Sequence, residues 1–134
     1  MPAQAMNPFP QAIHFDNAGM IDGKRNVILT RPFTAITSYG RITAHKGFVF
    51  DGASIPRIAH SLVGHPFDCF LEDCCIHDWL YSPYNDEFDR AEADWILKET
   101  MWNRRDQISG FKREAIYRAV RMFGWTAFKG RQNA

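Results

Sequence analysis

The folds open to this chain are narrowed most by a change of texture at Gly47–Arg57, G-F-V-F-D-G-A-S-I-P-R. Before it, A-I-H-F, N-V-I-L-T, F-T-A-I-T-S-Y and G-R-I-T-A-H are short runs rich in β-branched and aromatic residues. Turn signals at Asp16–Gly19, Asp22–Lys24, Arg31–Pro32 and Lys46–Gly47 separate them, which predicts strands. Gly52 and Pro56 end the last strand and open a structured loop, with Asp51 and Ser54 able to cap its backbone. Beyond the loop the pattern turns helical. One helix is predicted from about Phe67 to Tyr81, stopped by Ser82 and Pro83. A second starts near Asp86 or Asp89, where D-R-A-E resembles a capping box, and runs to about Arg105. A third runs from an N-cap at Ser109 to Gly124, with Ile116, Val120 and Phe123 on one face. Strands followed by helices predict an α+β domain: a small N-terminal antiparallel sheet or meander, then a three-helix segment.

At 134 residues the chain is one domain on length, with a β part over 13–57 and a helical part over 65–128. Residues 1–12 carry Pro2, Pro8 and Pro10 and read as a flexible or docking arm. No apolar run is long enough to span a bilayer, and the first residues lack the basic and apolar regions of a secretory signal. A soluble protein made in a cytoplasm is the expectation. The net charge of +1 hides three blocks. Basic residues outnumber acidic six to three over 1–67, acidic outnumber basic ten to two over 68–99, and basic lead again eight to two over 100–134. Opposed blocks argue against nonspecific nucleic-acid binding and predict that the basic last helix lies along the acidic central pair. Cys69, Cys74 and Cys75 are too few and too clustered for a disulfide framework. With His65 and His77 they match none of the usual paired zinc-ligand spacings.

The chemistry concentrates in D-C-C-I-H-D-W-L-Y, Asp73 to Tyr81. On a helix turning about 100° per residue, His77, Asp78 and Tyr81 share an arc with Phe67, Phe70 and Leu71, while Asp68, Glu72 and Trp79 lie roughly opposite. The polar pair therefore faces inward, where a carboxylate must be paired, hydrogen-bonded or metal-bound. Asp94 flanks the apolar face of the next helix, about 20° from Met101 on its wheel. The short Ser82–Asn85 connection makes the two helices antiparallel neighbours. Asp94 can then reach one ring nitrogen of His77 and leave the other free to take a proton from water.

H-D-W-L-Y resembles the H-D-x-x-Y core of the secreted calcium-dependent phospholipases. That resemblance implies His77 as catalytic base, Asp94 as the carboxylate that orients it, Tyr81 as a support and Asp78 as a calcium ligand. Loop carbonyls over 51–55 would complete the ion's shell. A wider resemblance joins Gly47–Arg57, Ile76–Tyr81, Arg90–Asp94 and Tyr117–Gly124. Together these motifs resemble a family of short phage and prophage proteins catalogued as a domain of unknown function. Asp51, Ser54, Arg57 and Arg90 are the supporting residues such a site would draw on. The resulting expectation is a phage- or prophage-encoded hydrolase, phospholipase-like, with a His–Asp dyad, a divalent cation such as calcium and a lipid or envelope ester as substrate. The alternative is a non-enzymatic virion, tail or assembly component in which the His–Asp pair is structural. Its partners would then be other virion proteins or the bacterial envelope. Either protein is made in the host cytoplasm, and the second ends in the virion.

Overall fold

The computed structural model describes residues 7–131, without the side chain of Cys69. The fold is α+β, with strands first and helices after. β1 (Phe15–Ile21), β2 (Lys24–Leu29) and β5 (Val49–Phe50) form one antiparallel sheet in the order β1-β2-β5. β3 (Phe33–Thr37) and β4 (Gly40–Ala44) form a separate hairpin, so the single meander expected from sequence is two small sheets. The Asp22-Gly23 pair makes the β1–β2 turn with φ of 52° and 76°, the positive pair that a tight two-residue hairpin requires. Asp16–Gly19, expected as a turn, lies inside β1. Its extra residue is absorbed by a shift of register between Asn17 and Gly19.

The helical part is richer than three helices. α1 (Arg57–Val63) follows Pro56 directly and was missed in the sequence because it offers only Ala59 and Val63 to the interior. The predicted 67–81 helix is two pieces, α2 (Pro66–Cys69) and α3 (Leu71–Tyr81), separated where Phe70 adopts φ −155° and ψ 54°. α4 (Arg90–Asn103) begins with the expected capping box between Asp89 and Glu92, and α5 (Gly110–Phe123) with the expected Ser109 cap. A 3₁₀ turn, Gly124–Thr126, follows. Among the described residues no helix is long and apolar enough to cross a membrane.

Helix α3 lies between two apolar clusters. Cys75, Ile76, Trp79 and Leu80 join the cluster that includes Leu29, Phe33, Phe48, Phe50, Ala93 and Ile96. Cys74 and the preceding Phe70 join one with Ile55, Leu97, Met101, Ile116 and Val120. Every residue from Asp73 to Tyr81 is buried as a result. The outward position expected for Trp79 is thereby corrected. Its ring is covered, stacked on Tyr84 at 5.1 Å and edge-on to Phe48 at 5.1 Å. A helix wheel sorts faces on the assumption of one wet side, and α3 has none. Residues 7–12 of the predicted arm pack on the domain itself. Phe9 is buried against Phe33, Ile36 N donates to Pro8 O, and Gln11 donates to Thr34 O. Residues 1–6 of that arm lie outside the described residues.

The charge blocks meet as expected across the helices, through Lys98–Glu114, Arg121–Asp94 and Arg104 with Glu72 and Asp73. Burial raises the pKa of Asp73 to about 6, although Arg104 pulls it the other way, and its Oδ1 has no hydrogen-bond partner. Burial likewise raises Asp78 to about 6. A carboxyl whose pKa rises on folding binds more proton in the native than in the unfolded chain. Between the ordinary value near 4 and about 6 the protein should therefore lose stability as pH rises, the contribution being fully present below about 4. Denaturation midpoints from pH 4 to 7 measure this slope, and Asp73→Asn should flatten it.

A buried polar chain from the Gly52 loop to the last helix

Four stretches of sequence deliver polar side chains to one place. The loop before α1 supplies Gly52 and Ser54, α3 supplies His77, Asp78 and Tyr81, α4 supplies Arg90 and Asp94, and α5 supplies Arg121. His77 stands in the middle with its side chain fully covered. Its Nε2 is 2.8 Å from Asp94 Oδ1 and its Nδ1 is 2.8 Å from Ser54 Oγ. The contact with Asp94 is the one the helix wheels expect. The second contact corrects the expectation of a ring nitrogen open to water: a serine hydroxyl occupies that place.

Asp94 is the most heavily bonded group. Oδ1 also accepts from the Tyr81 hydroxyl at 2.6 Å, and Oδ2 accepts from Arg121 at 2.7 Å and Arg90 at 3.4 Å. Burial alone would raise its pKa, but the hydrogen bond and charge of His77, then Tyr81 and Arg121, outweigh it and hold the carboxyl below its ordinary value. Tyr81 is pushed the opposite way, well above an ordinary phenol, by burial and then by the Asp94 charge. Arg90 also donates to Val120 O and Arg121 O, tying the start of α4 to the end of α5. The Tyr81 hydroxyl leaves room for no side chain at Gly124, where a Cβ would stand 2.5 Å from it and 3.3 Å from two ring carbons. Gly124→Ala should therefore displace Tyr81 and cost about 1–3 kcal/mol of stability, measured by denaturant titration.

Asp78 faces the loop. It accepts from Gly52 N at 2.8 Å, from Ser54 N at 3.3 Å and, in a short contact, from the Ser54 hydroxyl. Gly52 presents its amide from φ +80°, a conformation that suits glycine. A calcium ion would need carbonyl and carboxylate oxygens at this point. Instead the loop turns N–H groups toward Asp78, and among the described residues no three His, Cys, Asp or Glu side chains cluster closely enough to hold a metal. The residues present do not fit the calcium that the phospholipase resemblance implies.

Proton accounting limits what the chain can be. An ionised Asp94 only accepts, so His77 Nε2 carries a hydrogen. Ser54 Oγ has one hydrogen and two neighbours, Asp78 and His77 Nδ1. Both contacts are hydrogen bonds only when one further proton resides on Asp78 or on Nδ1. With that proton on Nδ1 the serine donates to Asp78; with it on Asp78, whose pKa burial raises to about 6, the hydrogens run Asp78 to Ser54 to His77 to Asp94. The serine hydroxyl then points its hydrogen at a base, and an ionised carboxylate steadies that base from behind.

The other predicted residues divide. Asp51 makes a local turn, accepting from Ala53 N at 2.8 Å, and does not touch the His77 chain. Arg57 is exposed at the start of α1, away from His77, and borders a separate cavity. A cavity of about 180 Å³ opens beside the chain, lined by Phe48, Phe50, Ser54, Asp78, Tyr81 and Lys129 among others.

The family described as "Protein of unknown function (DUF1353)" matches residues 27–120, well over half of the sequence. The chain belongs to the DUF1353 family. No curated protein and no solved structure matches it. The DUF1353 match takes in Ser54, His77, Asp78, Tyr81, Arg90 and Asp94 and ends one residue before Arg121. Thus the polar chain, except for its last arginine, lies inside the part that defines the family.

Proposed function

We propose that this protein is a small acyl hydrolase in which Ser54 is the nucleophile, His77 the general base and Asp94 the carboxylate that orients the base. One observation carries the reading: the order hydroxyl, imidazole, carboxylate, with both links at 2.8 Å. As Ser54 Oγ bonds to the acyl carbon of an ester, its proton passes to His77 Nδ1 and the imidazolium is stabilised by Asp94. The same proton then goes to the departing alkoxide, the C–O bond breaks, and an acyl-serine remains. Water deprotonated by His77 hydrolyses that ester and returns the serine. Tyr81 and Arg121 keep Asp94 ionised and in place throughout. The cavity beside Ser54 is below the usual size for a drug-like ligand, which favours a short or slender acyl group entering past Phe48 and Phe50. A bacteriophage or prophage setting, with an envelope or lipid ester as target, fits this chemistry and is part of the proposal. No cation takes part, in contrast to the calcium-dependent phospholipases.

The test is covalent. A fluorophosphonate probe should add its mass to Ser54 in the folded wild-type protein and to nothing in Ser54→Ala. A correctly folded wild-type protein that takes no label and turns over no p-nitrophenyl ester would sink the hydrolase. A second reading, an assembly or virion component, draws on different residues. Trp102, Phe111, Met122 and Trp125, on or beside the last two helices, stay about half or more exposed and would be its contact residues.

A further inference from the structure

A cavity of about 620 Å³ lies beside the Gly52 loop, outside the side chains that surround His77. Its charge is one-sided. Lys24 and Arg25 come to it from the start of β2, Arg57 from the start of α1, and His60 and His65 from either side of the α1–α2 connection. The one carboxylate on its wall is Asp51, and that group already accepts the Ala53 amide.

The cations are not used up by the protein. Among the described residues neither Lys24 nor Arg57 has a side-chain hydrogen bond or ion pair, and Arg25 has an exposed contact to Asp68 at 3.5 Å and lies 5.1 Å from the centroid of the Phe67 ring. His65 adds a donor. His65 Nδ1 accepts the Phe67 amide at 3.1 Å, so in its neutral form the proton must sit on Nε2 and be available to an acceptor. His60 is tethered by the Ile55 carbonyl at 3.1 Å from its Nε2, and its ring centroid is 5.2 Å from that of His65. Two uncommitted cations, a third held only at the surface and a fixed imidazole donor around one concavity match a group with more than one negative charge and several acceptor oxygens. A single carboxylate would leave most of them unanswered. A phosphate or phosphate ester supplies a charge near −2 and three terminal oxygens, and arginine forks are suited to it.

We infer that the cavity bounded by Lys24, Arg25, Arg57, His60 and His65 is a binding site for the phosphate group of a small phosphate ester or lipid headgroup. The inference does not depend on the acyl hydrolase: no residue of the His77 chain is needed for it.

Titration calorimetry with inorganic phosphate and with glycerol 3-phosphate tests it in the full-length protein, beside flotation with phosphatidylglycerol and phosphatidylcholine vesicles. Saturable binding is expected, weakened about 10-fold or more by Arg57→Gln and by Lys24→Gln. Both side chains are exposed, so circular dichroism should show unchanged folds. Arg41→Gln, at an exposed position on β4 outside the cavity lining, should bind as wild type. Binding of the soluble anions assigns a small ester. Flotation with vesicles alone, lost in the same two variants, assigns a headgroup. Absence of both, or binding that ignores Arg57→Gln and Lys24→Gln, overturns the site.

Discussion

Asp94→Ala should cost about 3–5 kcal/mol of stability, the range for breaking a buried ionic group by removing one partner. The reason is what stays behind. Tyr81 and His77 each lose a hydrogen-bond acceptor in a place that water does not reach, and the partly exposed Arg121 and Arg90 lose their counter-charge. Because those donors come from α3, α4 and α5, the loss loosens the packing of three helices at once. A melting temperature lower by roughly 10 °C or more is the corresponding readout. Asp94→Asn should fall between, since it keeps one acceptor oxygen but turns an N–H₂ toward two guanidinium groups or an imidazole. If both variants melt within a degree or two of wild type, Asp94 is not the hub described above.

His77→Gln should lower ester turnover by about 10²–10⁴-fold, the usual contribution of a positioned base. A glutamine can bond to Ser54 or to Asp94 but cannot take the serine proton. Its single amide also cannot reproduce both 2.8 Å contacts, so some loss of stability accompanies the loss of rate. Ser54→Ala separates the two effects. Asp78 keeps the amides of Gly52 and residue 54 as donors, so the loop should stay in place while turnover disappears. Initial rates on short p-nitrophenyl esters, read beside denaturation midpoints, give both quantities. A rate that falls only in proportion to lost folded protein would make His77 a structural residue.

The pairing of His77 with Asp94 was legible because both ends of the argument were local. Each residue's place on its own helix follows from its neighbours, and a short connection fixes how the helices face each other. Asn85, inside that connection, gave no such sign. It is buried and fills both donors and both acceptor sites on Leu80, Phe88 and Glu87, which holds the α3–α4 corner. Ser54 was visible as a capping residue, but its place against His77 depends on a contact spanning 23 positions that no periodicity encodes. Arg121 sits inside a motif that stood out in the sequence. Even so, a lone arginine on an amphipathic helix reads as surface charge until its carboxylate is known. The break at Phe70 was invisible for a plainer reason: neither glycine nor proline marks it.

The position of α3 also governs how the chain can be cut. A helix covered along nine successive residues takes its walls from sequence on both sides of it, the strands before and α4 and α5 after. Neither a fragment ending before Leu71 nor one beginning after Tyr81 retains a filled interior, so halves of this protein expressed apart should remain unfolded and regain structure only when mixed. New termini, by the same reasoning, are tolerated at the exposed Asp22-Gly23 hairpin and not at the Ser82 corner. A protease should find the native molecule either intact or wholly degraded, with no stable core left over.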